Sequence, residues 1–527
     1  MTIELSNLTF TSGADIVPES GQDDILNNGI ANTLDGNDTI TGIGLGSNPY
    51  TPNSGYGIFN IGTLNTAEGD DIITGTAGYN FFISSPGNGY GIYNTGTLNT
   101  AEGDDRIDST GEFGGIYNTS TLNAAEGNDT ISAGKADRNG IYNGIYNTGT
   151  FNTAEGDDII TATSGFSGGE GIYNTGTFNT AEGDDRITAW GDFHGRGLVN
   201  SGTLNTAEGN DIITATGKFY GIDNSGNFNT ADGNDEITGI ASSFEGIKIA
   251  DGSIFDTGNG NDRIIGKSNI STGIYNGSIT FNTGDGNDTI DATGYYSGIY
   301  NKGLINTGNG KDTIIAKTLY SGPALSNSST IDTGDGADII TGMGGIANDG
   351  TIDTGDGDDI ITGRSGSSYD GDDLSGIDNK STIHTGNGND SIIAEGLFIG
   401  TAGTINTGDG KDIITSNNGI LNDGTINTGN GADFIIANGG FYGMGSVFLG
   451  NGKDYLNGFG TGNFNGGNNQ DTLELTSGTY TIGISGTTVS FTNGDVIMYT
   501  SEFEKLKAGN TTHDFISLMD GQTMVVP

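Results

Sequence analysis

The chain has 527 residues, 98 of them glycine, with 66 acidic against 18 basic side chains and a formal charge of −48. That charge excludes nucleic acid and anionic membrane as natural partners and favours divalent cations. The absence of cysteine excludes disulfides, thiolate metal sites and cysteine nucleophiles, and three scattered histidines (His194, His384, His513), read as solvated, make a zinc or copper centre improbable.

In chain order, the first seventeen residues carry no basic region or long apolar run, which speaks against a secretory leader. No stretch approaches the roughly 18 apolar residues of a membrane span. Residues 1–20 read as an N-terminal cap. A turn written G-x-D-x-[IL] then recurs eighteen times. Its aspartates are Asp38, Asp71, Asp105, Asp129, Asp158, Asp185, Asp211, Asp235, Asp262, Asp288, Asp312, Asp338, Asp359, Asp390, Asp412, Asp433, Asp454 and Asp471. Ile, or Leu at 456 and 473, follows each by two positions, and Gly precedes each by two except at Asn469. A self-similar period of this size marks a solenoid, whose repeats bury their apolar faces against neighbours.

In eleven units a Gly fourteen residues before the Asp opens G-[IL]-x-N, as in Gly57-Ile58-Phe59-Asn60, and G-T-[LIF]-N-T lies between. Each unit thus offers three short apolar beats, such as Ile58, Leu64 and Ile73, with the alternation of half-buried strands. Three strands and three corners per coil predict an all-β parallel β-helix or β-roll of about eighteen coils, with helix content near nil. The GIxN asparagines, Asn60 and Asn94 among them, read as a stacked corner amide ladder.

From Asp to the next GIxN the chain varies from 7 residues (Asp433 to Gly440) to 19 (Asp38 to Gly57), so insertions fall at one corner. Aromatics there (Tyr79, Phe81, Phe82, Phe113, Phe166, Trp190, Phe193, Phe219, Tyr220) are expected to shield the edge of a thin core or, alternatively, to form a binding ridge. Between the second and eighth units the turn reads A-[ED]-G-[DN]-D, and from Gly258 onward G-[DN]-G-x-D. This divides the solenoid into residues 21–240, with Ala-type turns and long insertions, and 241–475, with Gly-rich turns. Residues 476–527 lose the Gly-Asp pattern and read as a β-rich C-terminal cap, with a turn at Asn493-Gly494 and an amphipathic EFEKLKAG stretch.

The turn suits Ca²⁺, which takes six to eight hard oxygens and accepts backbone carbonyls beside carboxylates. Coils stack about 4.8 Å apart, where two bare carboxylates repel by about 0.9 kcal/mol in bulk water and more at lower dielectric. A divalent ion in each gap reverses that sign and offsets most of the net charge. The competing reading is a metal-free Asx hydrogen bond, which has more weight in the Ala-type units.

The segment T-G-D-G-N-D-T-I (residues 283–290) resembles the repeat-in-toxin, or hemolysin-type calcium-binding, family with its G-G-x-G-x-D-x-U-x nonapeptide. The resemblance implies Ca²⁺ held between stacked turns by the Asp side chains and loop carbonyls, and folding driven by calcium outside the cell. It also implies export by a type I system reading a C-terminal signal within residues 476–527. Gly284, Gly286, Asp288 and Ile290 match the second, fourth, sixth and eighth positions. On this pattern the ligand-bearing loops are the eighteen aspartates with Gly258 and Gly260, Gly284 and Gly286, Gly308 and Gly310, Gly334 and Gly336, Gly355 and Gly357, Gly386 and Gly388, Gly408 and Gly410, and Gly429 and Gly431. Two departures stand out. Only one such turn occurs per coil, where the family has two, and Ala at the second position is expected to weaken the loop in units two to eight.

The function these features point to is a secreted calcium-binding solenoid at the cell surface, serving as a structural, coat or adhesion protein. It carries several Ca²⁺, and its partners are cell-surface glycans or further copies of itself. The alternative is an ice- or polysaccharide-surface binder. It rests on the Thr five residues before the Asp in fifteen units, Thr66, Thr257, Thr407 and Thr428 among them, and on a second Thr three residues earlier, as at Thr63. A β-helix polysaccharide lyase or hydrolase is a third reading. The regular repeat and the shortage of basic side chains argue against any enzyme.

Overall fold

The computed structural model of the chain describes residues 2–18, 23–44, 55–77, 89–135, 143–165, 168–320, 322–365 and 376–527. It divides into two compact units, Met1–Thr283 and Gly284–Pro527, each a parallel β-helix. Nine of the aspartate turns lie in each unit. Among the described residues there is no α-helix, only two 3₁₀ turns.

In the first unit a coil consists of three strands, for example Ile58–Asn60, Thr63–Asn65 and Ile72–Ala77. The next coil repeats them as Tyr90–Asn94, Thr97–Asn99 and Arg106–Gly111. Pairing is parallel and strictly in register, Ile58 with Ile92, Leu64 with Leu98 and Ile73 with Ile107. The strands thereby build three sheets, here called sheet 1 (GIxN), sheet 2 (TxN) and sheet 3 (after the Asp). In the second unit Ile346–Asn348, Thr351–Asp353 and Ile360–Ser365 repeat the plan, and Ile346, Ile352 and Ile361 stand against Ile377, Ile383 and Ile392.

Because strand side chains alternate between faces, each short strand sends its central or flanking aliphatic inward. Ile58, Leu64, Ile92, Leu98 and Ile107 are completely buried. Each such residue contributes roughly 1.5–3 kcal/mol by leaving water, so the core is a column one aliphatic deep per sheet. Phe151 and Phe178 continue it as stacked rings 4.5 Å apart. The GIxN asparagines form the expected inward amide ladder. Asn60 Nδ2 donates to Asn94 Oδ1 (2.7 Å) and to the Thr97 carbonyl (2.8 Å), and Asn94 and Asn118 repeat the pattern.

The outer face of sheet 1 in the first unit carries a row of rings. Phe59, Tyr93, Tyr117, Tyr146 and Tyr173 stack with centroids 4.7–5.3 Å apart and planes within 11°. At the insertion corner Phe219 packs on His194 and Phe244, while Trp190 and Phe193 are each 57% exposed. Tyr79, Phe81, Phe82 and Phe166 lie outside the described residues. His384 is not simply solvated: its Nδ1 lies 3.2 Å from Asn406 Nδ2 in the outer row of sheet 2.

The two ends differ from a plain cap. Thr2–Glu4 and Ile16–Val17 already pair parallel with the following coil. At the C-terminal end Gly478–Ser485, Thr488–Asn493 and Val496–Ser501 form an antiparallel meander; the second hairpin turns at Gly494-Asp495, one residue beyond the expected Asn493-Gly494, because Asn493 still pairs with Val496. The EFEKLKAG stretch contains a strand: Lys505–Ala508 pairs parallel with Thr472–Leu475, and Thr511–Asp514 pairs antiparallel with it, so sheet 3 runs two strands past Thr472–Leu475.

Candidate cation ladder

Fifteen of the eighteen turns begin with a first-position Thr, where Ala124, Leu449 and Gly466 stand in the other three, and all end with the sixth-position Asp. Between them the chain enters the left-handed region at the second position. Gly258, Gly284 and Gly308 have φ of 77°, 80° and 76°. Six of the seven Ala-type turns adopt the same conformation, with φ of 58–62° at Ala67, Ala101, Ala154, Ala181, Ala207 and Ala231. The expectation that Ala weakens the loop geometry is therefore corrected. The loop is conserved in shape, at a cost of about 1–2 kcal/mol of backbone strain per Ala.

The fourth-position glycine is required for a different reason. A Cβ on Gly69 would lie 2.4 Å from the Gly36 carbonyl oxygen, and one on Gly357 only 1.3 Å from that of Gly336. Successive turns touch backbone to backbone here. The fourth-position N–H donates to the third-position carbonyl of the next coil, as from Gly103 to Glu126 and from Gly310 to Asp335, both 2.8 Å.

The sixth-position aspartates point inward. Asp71, Asp158, Asp211, Asp312 and Asp433 are at most 1% exposed. Their backbone N–H groups donate to Oδ1 of the Asp one coil further on, as from Asp71 to Asp105 (2.8 Å), Asp158 to Asp185 (2.9 Å) and Asp390 to Asp412 (2.9 Å), and at the end of the ladder Asp471 N–H donates to Glu504 (2.8 Å). The second oxygen faces the first-position Thr of its own coil. Thr206, Thr257 and Thr385 donate to Oδ2 of Asp211, Asp262 and Asp390. In Asp71, Asp105, Asp129, Asp158 and Asp185, as in most of the others, Oδ2 is buried with no well-formed hydrogen bond. Burial, partly countered by the donors, pushes these carboxyls upward. Asp71 and Asp262 rise to about 6, Asp105 and Asp312 to about 7, Asp185 and Asp235 to about 8, and Asp129 to about 9.

A second ladder, not anticipated from the sequence, runs beside the first in the opposite sense. At the fifth position the N–H donates to Oδ1 of the preceding coil: Asp104 to Asp70 (3.1 Å), Asn128 to Asp104 (2.8 Å), Asp157 to Asn128 (2.7 Å) and Asp184 to Asp157 (2.9 Å). All nine turns of the first unit have Asp or Asn there, which is the signal that was available. The Thr rank proposed for surface binding is corrected: Thr66, Thr257 and Thr428 are fully buried and Thr407 is 1% exposed. Strand parity explains this, because Thr66 lies two residues after the inward Leu64.

Carboxylate and backbone carbonyl oxygens are the right kind of donor for a hard cation. Of the set implied by the resemblance, however, Oδ1 and the third-position carbonyl both accept N–H groups from a neighbouring coil. Among the described residues no three acidic or histidine side chains converge on one point. What most of the turns keep open is Oδ2, a buried oxygen able to take a proton or a cation. The glycines named from Gly258 to Gly431 shape the loop and bring coils together. No protein-family model matches the chain, and no curated protein aligns with it.

Proposed function

We propose that the chain is a cation-stabilised structural solenoid, a coat or adhesion scaffold of the extracellular space, without enzymatic activity. The observation that carries this reading is the column of buried aspartates, in most of which, Asp71, Asp105, Asp129, Asp158 and Asp185 among them, Oδ2 has no well-formed hydrogen bond. A buried charge without compensation costs several kcal/mol, and repeating it in coil after coil calls for a counter-charge. The ladder Asp and first-position Thr of each coil would hold a Ca²⁺, with carbonyls of the turn completing the shell. The raised carboxyl pKa values make protons the competitors for the same oxygens, so calcium entry near neutral pH releases protons.

The test is calorimetric titration of the full chain with Ca²⁺ at pH 7 in two buffers of different ionisation enthalpy. The expected result is saturable binding of several ions, with a heat that shifts between buffers in proportion to the protons released. Absence of binding, with an unchanged β spectrum and melting midpoint in excess chelator, would refute the reading.

A further inference from the structure

One part of the first unit departs from the character of the chain as a whole. In six consecutive coils the segment from GIxN through TxN contains no charged side chain, from residues 58–65 to residues 198–205, although the protein carries −48 overall. Its outer surface consists of parallel rows. The ring row of sheet 1 runs from Phe59 to Tyr173. On sheet 2, Thr63, Thr97, Thr121, Thr150, Thr177 and Thr203 stand in register. The asparagines two residues on, Asn65 to Asn205, form another row, and from Asn99 to Asn205 their amides bond coil to coil at 2.6–2.8 Å. The threonine hydroxyls make no side-chain hydrogen bond and are half-buried or, at Thr150 and Thr177, exposed.

We infer that this face binds an extended, neutral polysaccharide chain laid along the coil rows. Three features select that partner. An uncharged patch on a strongly acidic protein admits a neutral polymer and repels an anionic one. The tyrosine row offers aromatic edges and phenol hydroxyls beside free threonine hydroxyls, matching the alternating C–H and O–H surfaces of a pyranose. The rows repeat at the strand spacing of about 4.8 Å, close to the advance of one sugar in a β-1,4-linked chain, so successive sugars meet successive coils and, being turned over at each linkage, present the same edge at every second coil. A sheet of ordered water would use the hydroxyl rows and leave the tyrosines idle. The next coil ends the pattern, since Asp223 takes the ring position and pairs with Arg196 and Lys248. The inference does not depend on calcium at the aspartate ladder.

The experiment is depletion of the full chain from solution by microcrystalline cellulose and by crystalline chitin, with alginate gel as the anionic comparison, in calcium and in chelator. Retention on at least one neutral polymer and none on alginate is expected. Thr150→Glu with Thr177→Glu should lower the partition coefficient at least tenfold, while Thr161→Glu on the outer face of sheet 3 should leave it unchanged. Circular dichroism identifies any variant that has lost its fold, and Tyr146→Ala provides an independent disruption of the same face. No retention on either polymer, or retention indifferent to the Thr150, Thr177 and Tyr146 changes, overturns the inference. So does freezing-point hysteresis abolished by those changes, which would assign the face to ice. If the folded protein binds these polymers but takes up no Ca²⁺, the functional reading fails and this one stands.

Discussion

The turns of the first unit and those of the second reach one backbone conformation with different chemistry. In the first, Ala at the second position tolerates a left-handed φ near 60°, Glu at the third extends into solvent, and Asp or Asn at the fifth bonds back to the preceding coil. In the second, Gly relieves the strain, and the fifth position includes Lys311, Ala337 and Lys411. The fifth-position bonds nonetheless persist, from Lys311 N–H to Asn287 (2.9 Å), Asn389 N–H to Asp358 (2.7 Å) and Lys411 N–H to Asn389 (3.1 Å), and the third position adds Asn309 N–H to Asp285 (3.1 Å), Asn387 N–H to Asp356 (3.0 Å) and Asn468 Nδ2 to Asn451 (2.6 Å). The buried sixth-position ladder is common to both. The shared part of the repeat is therefore the inward carboxylate and the glycine that lets backbones touch, while the exposed rows that stitch the corner tolerate other side chains, because the donor at the fifth position is a backbone N–H that Lys311 and Lys411 supply as well as Asn389 does.

The largest effect expected from this comparison is on pH dependence. A carboxyl raised by folding binds protons better in the native state than in the unfolded one, so its stabilising contribution is complete below about pH 4 and declines as pH rises. For the ladder the decline ends between about pH 6 and 9, where Asp71 and Asp129 mark the limits. In chelator the melting midpoint should fall from pH 5.5 to pH 8.5, corresponding to more than about 5 kcal/mol over the array, and Ca²⁺ should shrink the difference. A flat profile in chelator would mean that the carboxylates are already compensated within the fold.

Next in size is the fourth-position glycine. Gly310→Ala, whose Cβ would sit 1.5 Å from the Gly286 carbonyl oxygen, should cost at least about 3 kcal/mol in urea unfolding. Gly183→Ala in the first unit, at 1.9 Å from Gly156, should behave alike; a mild effect at either site would show that the stack can open locally. Thr206→Val removes the hydroxyl bonded to Asp211 with little change of shape, and should cost about 1–3 kcal/mol. The same substitution at Thr385 should match it, because the ladder is shared. Smallest is Ala181→Gly, which exchanges backbone strain for chain entropy and should stabilise by up to about 1 kcal/mol. A loss of stability instead would mean that the Ala methyl makes contacts worth more than its strain.

Strand number, strand positions and register were legible because each strand holds one aliphatic at a fixed offset from an Asp. The Asn60 ladder was legible for the same reason. The direction of the first-position Thr is also written in the chain, in the parity that Leu64 sets, and that parity rules out the surface rank on which the alternative reading rests. The strain at Ala181 and the contact that demands Gly310 were not legible, since both depend on the coil beneath, two dozen or more residues away in sequence. The fate of Lys505–Ala508 shows the same limit: its amphipathic pattern becomes a strand only through the edge offered by Thr472–Leu475.

The two ladders of the first unit run in opposite senses, one donating forward and the other back. Each corner consequently presents the same pair of donors and acceptors above and below, whichever coil it belongs to. Excising the 27 residues that separate Asp158 from Asp185 would bring together two edges already complementary. Coil number is then a quantity that duplication and deletion can alter in whole steps without creating a mismatched joint, and the reach of the protein becomes a heritable length rather than a fixed property of its fold.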